Sequence, residues 1–312
     1  MSTDVATNAA EARRAAWVGL TAFLVTSAFW GANLPITAVL LRSLDPFWLT
    51  AWRLVLATAA LGAMIWVTEG RAALRIDIPW RRFCLLGFSI GLFFIDYNVA
   101  LQYTNTITAA AVMAGAPIYA VVTLWLIVGA PIERGFGVAL ALTVIGSAIA
   151  IYGRTGESGG GLALGGGEPL VMLSVVLWTI YSILSQRWFT PSTSQLRRAY
   201  VASLGAIPWL FVFWGISRVT GLAGPPNLAP DAETILLFVV TAVLATAIGN
   251  YTWNIGISRM GIAMGSLWQN AVPVFGVLVA MLFGIHPHLE QVIGGILVIS
   301  GVLYMQQRRM RG

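Results

Sequence analysis

Long apolar runs separated by short polar segments fill the chain from residue 16 to residue 307. A bilayer is crossed by about 20 consecutive apolar residues in a helix. Ten runs meet that length, over 16–41, 46–68, 82–103, 106–129, 133–152, 168–189, 196–219, 232–256, 260–284 and 289–307. The pattern predicts an all-α polytopic membrane protein with ten transmembrane helices. After the fifth run comes TGESGGGLALGGG, Thr155 to Gly167, with the composition of a flexible connector. It divides the chain into a first unit, 1–154, a linker, 155–167, and a second unit, 168–312. The Gly-rich run lacks the Lys-Ser/Thr pair and the preceding strand of a phosphate loop.

The two units repeat one another. Asp96-Tyr97 opens a stretch that runs through an Ala/Met-rich segment to Pro117, then to Pro131, Glu133 and Gly137. Asn250-Tyr251 opens a second stretch that runs to Pro273, then to Pro287, Glu290 and Gly294. A hydrophobic chain with such a repeat is read as two halves of a transporter.

Charge fixes the expected orientation. Every cation is Arg. With ten spans and a cytoplasmic N-terminus, Arg13, Arg14, Arg71, Arg75, Arg81, Arg82, Arg134, Arg187, Arg197, Arg198, Arg259, Arg308, Arg309 and Arg311 face the cytoplasm, and Arg42, Arg154 and Arg218 face outward. The positive-inside rule favours this count, with both termini cytoplasmic. Five helices per unit is odd, so the second unit enters from the opposite side: two inverted five-helix repeats around a central cavity. Glu133 then lies at the cytoplasmic face and Glu290 at the outer face. The turn Thr104-Asn105-Thr106 faces out, and Ser258-Arg259-Met260 faces in.

Composition narrows the class. Only 10% of residues are charged and 58% are hydrophobic, against about 25% charged in a soluble domain. The net charge of +6 is accounted for by topology, so no nucleic-acid partner is expected. The single cysteine, Cys84, excludes an internal disulfide and a Cys-based metal cluster. No signal-peptide pattern precedes the first run. No cofactor is expected, and a monomer is the expected state. A membrane enzyme would need paired intramembrane carboxylates or an HExxH helix, and neither occurs. Nothing resembles a channel filter.

The residues Trp30-Gly31-Ala32-Asn33, Asp45-Pro46 with Arg53, Pro117, Glu133, Gly137 and Gly146, with Trp178, Pro273, Glu290, Gln291, Gly294 and Gly301 in the second unit, resemble the EamA-type branch of the drug/metabolite transporter superfamily. The resemblance covers nearly the whole chain. Within it, the length and aromatic-rich middle are similar to the YddG-type aromatic amino-acid exporters. The resemblance implies ten helices, a cavity between the halves, export of amino acids, and a bacterial cytoplasmic (inner) membrane. Other small metabolites, drugs or nucleotide-sugars are the alternative cargo, although a nucleotide-sugar site would need several buried cations and only Arg53 is available. The seventh run has no arginine matching Arg53.

Candidate functional residues follow from position. Trp30 and Trp178 match in the two units near the midplane. Asn33 and Tyr181 each follow three residues later, on the same helix face. These aromatic-plus-polar faces would line a pocket for an amphipathic small molecule, or else pack between helices. Tyr97, Met113, Asn250, Tyr251, Trp268 and Gln269 belong to the repeated hairpins and are further candidates for substrate binding. Pro117 and Pro273 mark a gate or hinge, or simple bends.

Asp96 and Arg53 are charges at similar membrane depth, where each costs about 2.5–3.5 kcal/mol unless paired or facing water. They form a structural pair, or Asp96 serves substrate or proton. Glu133 and Glu290 are expected in the first turns of their helices, favoured by the helix dipole. His286 and His288 flank Pro287, and a solvated loop is expected there in place of a metal site.

Overall fold

A computed structural model describes residues 2–104, 106–155, 165–282 and 287–311. The linker from 156 to 164, Asn105 and His286 lie outside the described residues. The elements are α1 (Ser2–Leu40), α2 (Pro46–Glu69), a 3₁₀ turn (Arg71–Leu74), α3 (Trp80–Tyr103), α4 (Thr106–Ala114), α5 (Ala116–Val128), α6 (Phe136–Thr155), α7 (Glu168–Arg187), α8 (Gln195–Val219) and α9 (Ala232–Val240). A π-wound stretch (Thr241–Ile248) follows, then α10 (Gly249–Met260), α11 (Ile262–Gln269), α12 (Val272–Leu282) and α13 (Leu289–Arg311). No strand occurs among the described residues.

Eight helical segments are long and apolar enough to cross a membrane, or nine when the bent pair α4–α5 counts as one. Phe136–Tyr152 is a shorter apolar helix. Large apolar side chains such as Trp66, Val67, Leu126 and Val219 are exposed on the outside of the bundle. That is the surface a lipid-facing helix presents.

Local chemistry sets the helix ends. Asp45 caps α2: its Oδ1 accepts the N–H groups of Phe47 and Trp48 at 3.0 and 2.9 Å, and Pro46 fills the first position, where no N–H is required. Its Oδ2 accepts the N–H of Gly224 at 2.7 Å, tying this end to the loop after α8. At the start of α13, the Gln291 side chain accepts the N–H of His288 at 3.0 Å, half of a capping box.

Each half packs chiefly on the other. α1 lies along α10 and α12, α3 along α7 and α8, α2 along α8, and α6 along α13. Exchanging the two units preserves this scheme: α1 on α10 corresponds to α7 on α3, and α1 on α12 to α7 on α5.

Glycines make the closest crossings. A Cβ on Gly146 would strike the Gly294 carbonyl at 2.6 Å, and one on Gly294 would strike the Gly146 carbonyl. A Cβ on Gly87 would strike the Gly205 backbone. Small residues at helix crossings are the usual way membrane helices gain van der Waals contact. Gly137, the sequence counterpart of Gly294, has nothing within 4 Å of such a Cβ.

Four expected elements differ. The 106–129 run is broken at Gly115 and bent by 49°. Pro117 sits in the first turn of α5, with no N–H to give to the Met113 carbonyl four residues back. The 260–284 run breaks at Asn270–Ala271, with Pro273 in the first turn of α12, yet 262–279 still runs as one span. The cytoplasmic turn expected over Ser258-Arg259-Met260 is helical instead, and the chain turns at Gly261, whose φ of +79° suits only glycine. Glu290 lies in the first turn of α13 as expected, but Glu133 lies three residues before α6 begins, because that helix starts only at Phe136.

Candidate functional site

Trp30 and Trp178 do not flank an open cavity; they touch. Their ring centroids are 5.5 Å apart, edge to face. Trp253, from α10, completes a triangle, stacked on Trp30 at 5.5 Å and tilted on Trp178 at 5.6 Å. Phe93 of α3 and Tyr181 each lie 5.0 Å from Trp178. Phe23 joins Trp253 to Trp268 at 5.7 and 6.2 Å. Aromatic pairs at these separations contribute about 0.5–1.5 kcal/mol beyond buried area. The collapse of the expected cavity follows from that affinity and from Trp253.

The π-wound stretch makes room for Trp30. The Trp30 indole N–H donates to the Ala245 carbonyl at 2.9 Å. In a helix wound i→i+5 the carbonyls turn out of α register, and such turns concentrate at functional sites. At Gly249 a Cβ would meet the Trp30 nitrogen at 2.5 Å, so only glycine admits the indole there. Thr26 and Thr252 hydrogen bond across the same α1–α10 seam at 2.7 Å.

Beside the triangle lies a narrow cleft lined by Phe23, Thr26, Ser27, Trp30, Trp253, Trp268, Gln269 and Val272. It is too narrow to admit a water-sized sphere. The Trp268 indole nitrogen is buried with no hydrogen-bond partner, as is that of Trp178. Both are unspent donors, the first of them in the cleft wall.

A polar chain lies beneath the aromatic residues. Asn254 Nδ2 donates to the Tyr181 hydroxyl at 3.1 Å, and its Oδ1 accepts from Ser185 at 3.1 Å and Gln186 at 3.3 Å. Gln186 Oε1 in turn accepts from Arg198 at 3.3 Å. Arg198 is only 5% exposed and also donates to the carbonyls of Thr193, Ser185, Gln186 and Thr190. Next to it, Arg197 pairs with Asp77 at 3.1 Å, joining the α2–α3 and α7–α8 connections.

The two broken helices cross at their breaks, where Asn270 Nδ2 donates to the Ala114 carbonyl at 3.0 Å. On one side of that crossing α5 packs against α11. On the other, α4 and α12 make no comparable packing among the described residues. Met264 through Trp268 are all buried; in the matching stretch Thr108 and Ala109 are buried and Ala110 through Met113 half-buried.

Trp30, Trp178, Tyr181, Trp268 and Gln269 are thus brought together. Asn33 lies one turn from Trp30, its Oδ1 accepting from Thr37 at 3.1 Å. Tyr97 and Met113 gather elsewhere, with Val112 and Leu170 around Ala100, Ala109 and Val171. Tyr251 points to a third cluster on α2 and α8, with Met64 and Tyr200. Asn250 is buried, its carbonyl accepting from Asn254 at 2.9 Å and its own amide nitrogen unpartnered. Arg53 and Asp96 do not pair: Arg53 Nη1 and Asp96 Oδ2 are each buried without a hydrogen-bond partner. Similar depth does not fix the direction around the helix axis. Phe23, Trp253, Asn254, Asn270 and Arg198 were not predicted from sequence. His288 lies at the α13 cap, and no metal-ligand cluster occurs among the described residues.

The EamA-like transporter family model matches residues 17–152 and again 165–306. The chain belongs to the EamA-like transporter family. Two successive matches correspond to the family's two repeats. This EamA-like transporter is 27% identical over 279 residues to the uncharacterized transporter YyaM of Bacillus subtilis (strain 168), covering 89% of this chain and 90% of that one. It is 25% identical, over 93% of both chains, to a probable terminal-alkyne amino-acid exporter of Streptantibioticus cattleyicolor. A solved crystal structure shares the fold with a TM-score of 0.74 and 21% identity, covering 96% of this chain and 99% of that one. The family and relatives indicate a multi-pass membrane transporter of small molecules.

Proposed function

We propose that this EamA-like transporter exports amino acids, aromatic and other neutral ones included, across the bacterial cytoplasmic membrane by alternating access. The observation that carries the reading is the Trp30–Trp178–Trp253 triangle beside a cleft with the unpartnered Trp268 N–H and the Gln269 amide. Aromatic faces with a few polar groups are the usual lining for an amphipathic small molecule. The name of the S. cattleyicolor relative supports the same cargo class. Neither Lys nor Arg lines the cleft, which disfavours phosphate-bearing cargo.

The ten-span count takes the eight spanning segments, the bent pair α4–α5 and Phe136–Tyr152. It gives two inverted repeats, 1–154 and 168–312, with both termini cytoplasmic and a monomer as the functional unit. The gates are then the α3–α4 and α10–α11 hairpins, with Pro117 and Pro273 at their hinges. Binding tests the reading: amino acids titrated into the purified protein should change its tryptophan fluorescence and raise its melting temperature. A ligand at about 100 times its Kd adds about 2.7 kcal/mol to stability. A response to sugars, nucleotides or drugs and to no amino acid would support the other cargo classes.

A further inference from the structure

Asp96 is a buried acid that the aromatic site leaves unexplained. It is 8% exposed, its Oδ2 has no hydrogen-bond partner, and it forms no ion pair among the described residues. Its position follows from the helix register. On α7, the Ala100 carbonyl abuts Gly167 and Phe93 abuts Trp178, so Asp96 lies between these two levels, one turn from Phe93. On α8, Gly87 abuts Gly205 and Gly91 abuts Trp209; Asp96, nine and five residues further along α3, is turned well away from that seam at 3.6 residues per turn. Trp178, one turn away on the α7 side, carries a buried indole nitrogen without a partner.

The elements around α3 supply no compensating charge at this level. On α7 the charged residues, Glu168 and Arg187, stand at the two ends, and the Ser174 hydroxyl is spent on the Val171 carbonyl. On α8 no charged residue lies between Arg198 and Arg218, and both of these donate to backbone carbonyls. On α2, Arg53 makes no pair with Asp96, and Glu69 accepts from Ser194 at the far end. On α3 itself Arg81 and Arg82 begin the helix, and Tyr97 joins the Val112–Met113 cluster.

A carboxylate in the bilayer is paired, faces water, or gives up its charge. We propose that Asp96 is a proton-binding site through which transport is coupled to the proton gradient. The carboxyl binds a proton in the packing seen here. When the bundle rearranges and water reaches it, the proton leaves to the other side, and water solvates the carboxylate formed. The only bond made and broken is O–H, and one proton enters as cargo leaves. This rests on the transport reading above.

Two measurements separate the proposal from that reading. Infrared pH-difference spectra of purified protein need no substrate. They should show a protonated-carboxyl band in the wild type that is lost in Asp96→Asn and displaced in Asp96→Glu, the latter serving if the Asn variant does not fold. In proteoliposomes, an imposed pH gradient should drive uphill accumulation by the wild type. Asp96→Asn should keep cargo counterflow and lose that accumulation. An identical band in wild type and both variants, or gradient-driven accumulation undiminished in Asp96→Asn, overturns the proposal. If no amino acid is carried but the band behaves as expected, the proton site stands and the cargo reading fails.

Discussion

Asn270 in the second half donates its side-chain amide to the Ala114 carbonyl of the first half at 3.0 Å, and both residues sit where a helix is interrupted. The two halves are therefore joined at the points where each has lost its own ladder. A change of bend in one break displaces the hydrogen-bond partner of the other. A helix-to-helix bond in a membrane protein is worth about 0.6 kcal/mol on average, enough to bias two states without locking either.

Asn270→Ala removes that link while leaving the cleft lining intact. The expected outcome is a folded protein whose transport rate changes by more than its cargo affinity. Binding and flux assays on one preparation check this. An affinity loss with unchanged rate would assign Asn270 to the cargo site.

Pro117→Ala and Pro273→Ala restore an N–H to helices broken just before each proline. Both should straighten their breaks and alter rate before affinity. The effect should be larger at Pro117, because only the α4–α5 pair is bent by as much as 49°. Double electron–electron resonance between labels on α4 and α12 would report the change as a shifted distance distribution.

The glycine crossings give a stability test. Gly294→Ala forces a methyl into the Gly146 carbonyl and should cost about 1–3 kcal/mol, the usual range for overpacking. Gly137→Ala meets nothing within 4 Å and should be neutral or stabilising by about 0.5–1 kcal/mol, since alanine is the better helix former. Thermal melting in detergent distinguishes the two. Equal effects would contradict the α6–α13 crossing.

That contrast marks the limit of what the sequence reveals. Gly137 and Gly294 stand at the same spacing from Glu133 and Glu290, and the repeat cannot say that only one meets another helix. The spanning runs and the duplicated hairpins are legible because apolar length and order are linear properties. Trp30 and Trp178 were legible because they match across the halves. Trp253 was not, because its contacts exist only once α1 lies along α10. The π-wound stretch carries no compositional mark, since i→i+5 bonds are selected by the packing of Trp30 against Gly249. Arg198 reads as an ordinary positive-inside charge, yet it is buried and spends its donors on the α7–α8 connection. Arg53 and Asp96 were legible as charges inside apolar runs, but not whether they meet, since spacing along the chain does not fix the direction around a helix axis.

Trp30→Phe keeps the ring and deletes the N–H that reaches the Ala245 carbonyl. The loss should be about 1–3 kcal/mol of stability, the cost of leaving the Ala245 carbonyl without its donor. Trp30→Ala opens the triangle itself and should abolish binding of aromatic cargo while small neutral amino acids are affected less. Competition binding with a panel of side chains checks the difference. A uniform loss across the panel would make Trp30 a packing residue.

The most direct test of the account is counterflow in proteoliposomes containing the purified protein. The vesicles are loaded in turn with single unlabelled amino acids and challenged with the radiolabelled one. Transient accumulation of label for aromatic and other neutral amino acids, abolished for aromatic cargo in Trp30→Ala, is the predicted result. No counterflow of any amino acid by a folded, correctly reconstituted protein would contradict the assignment of this cleft to amino acids.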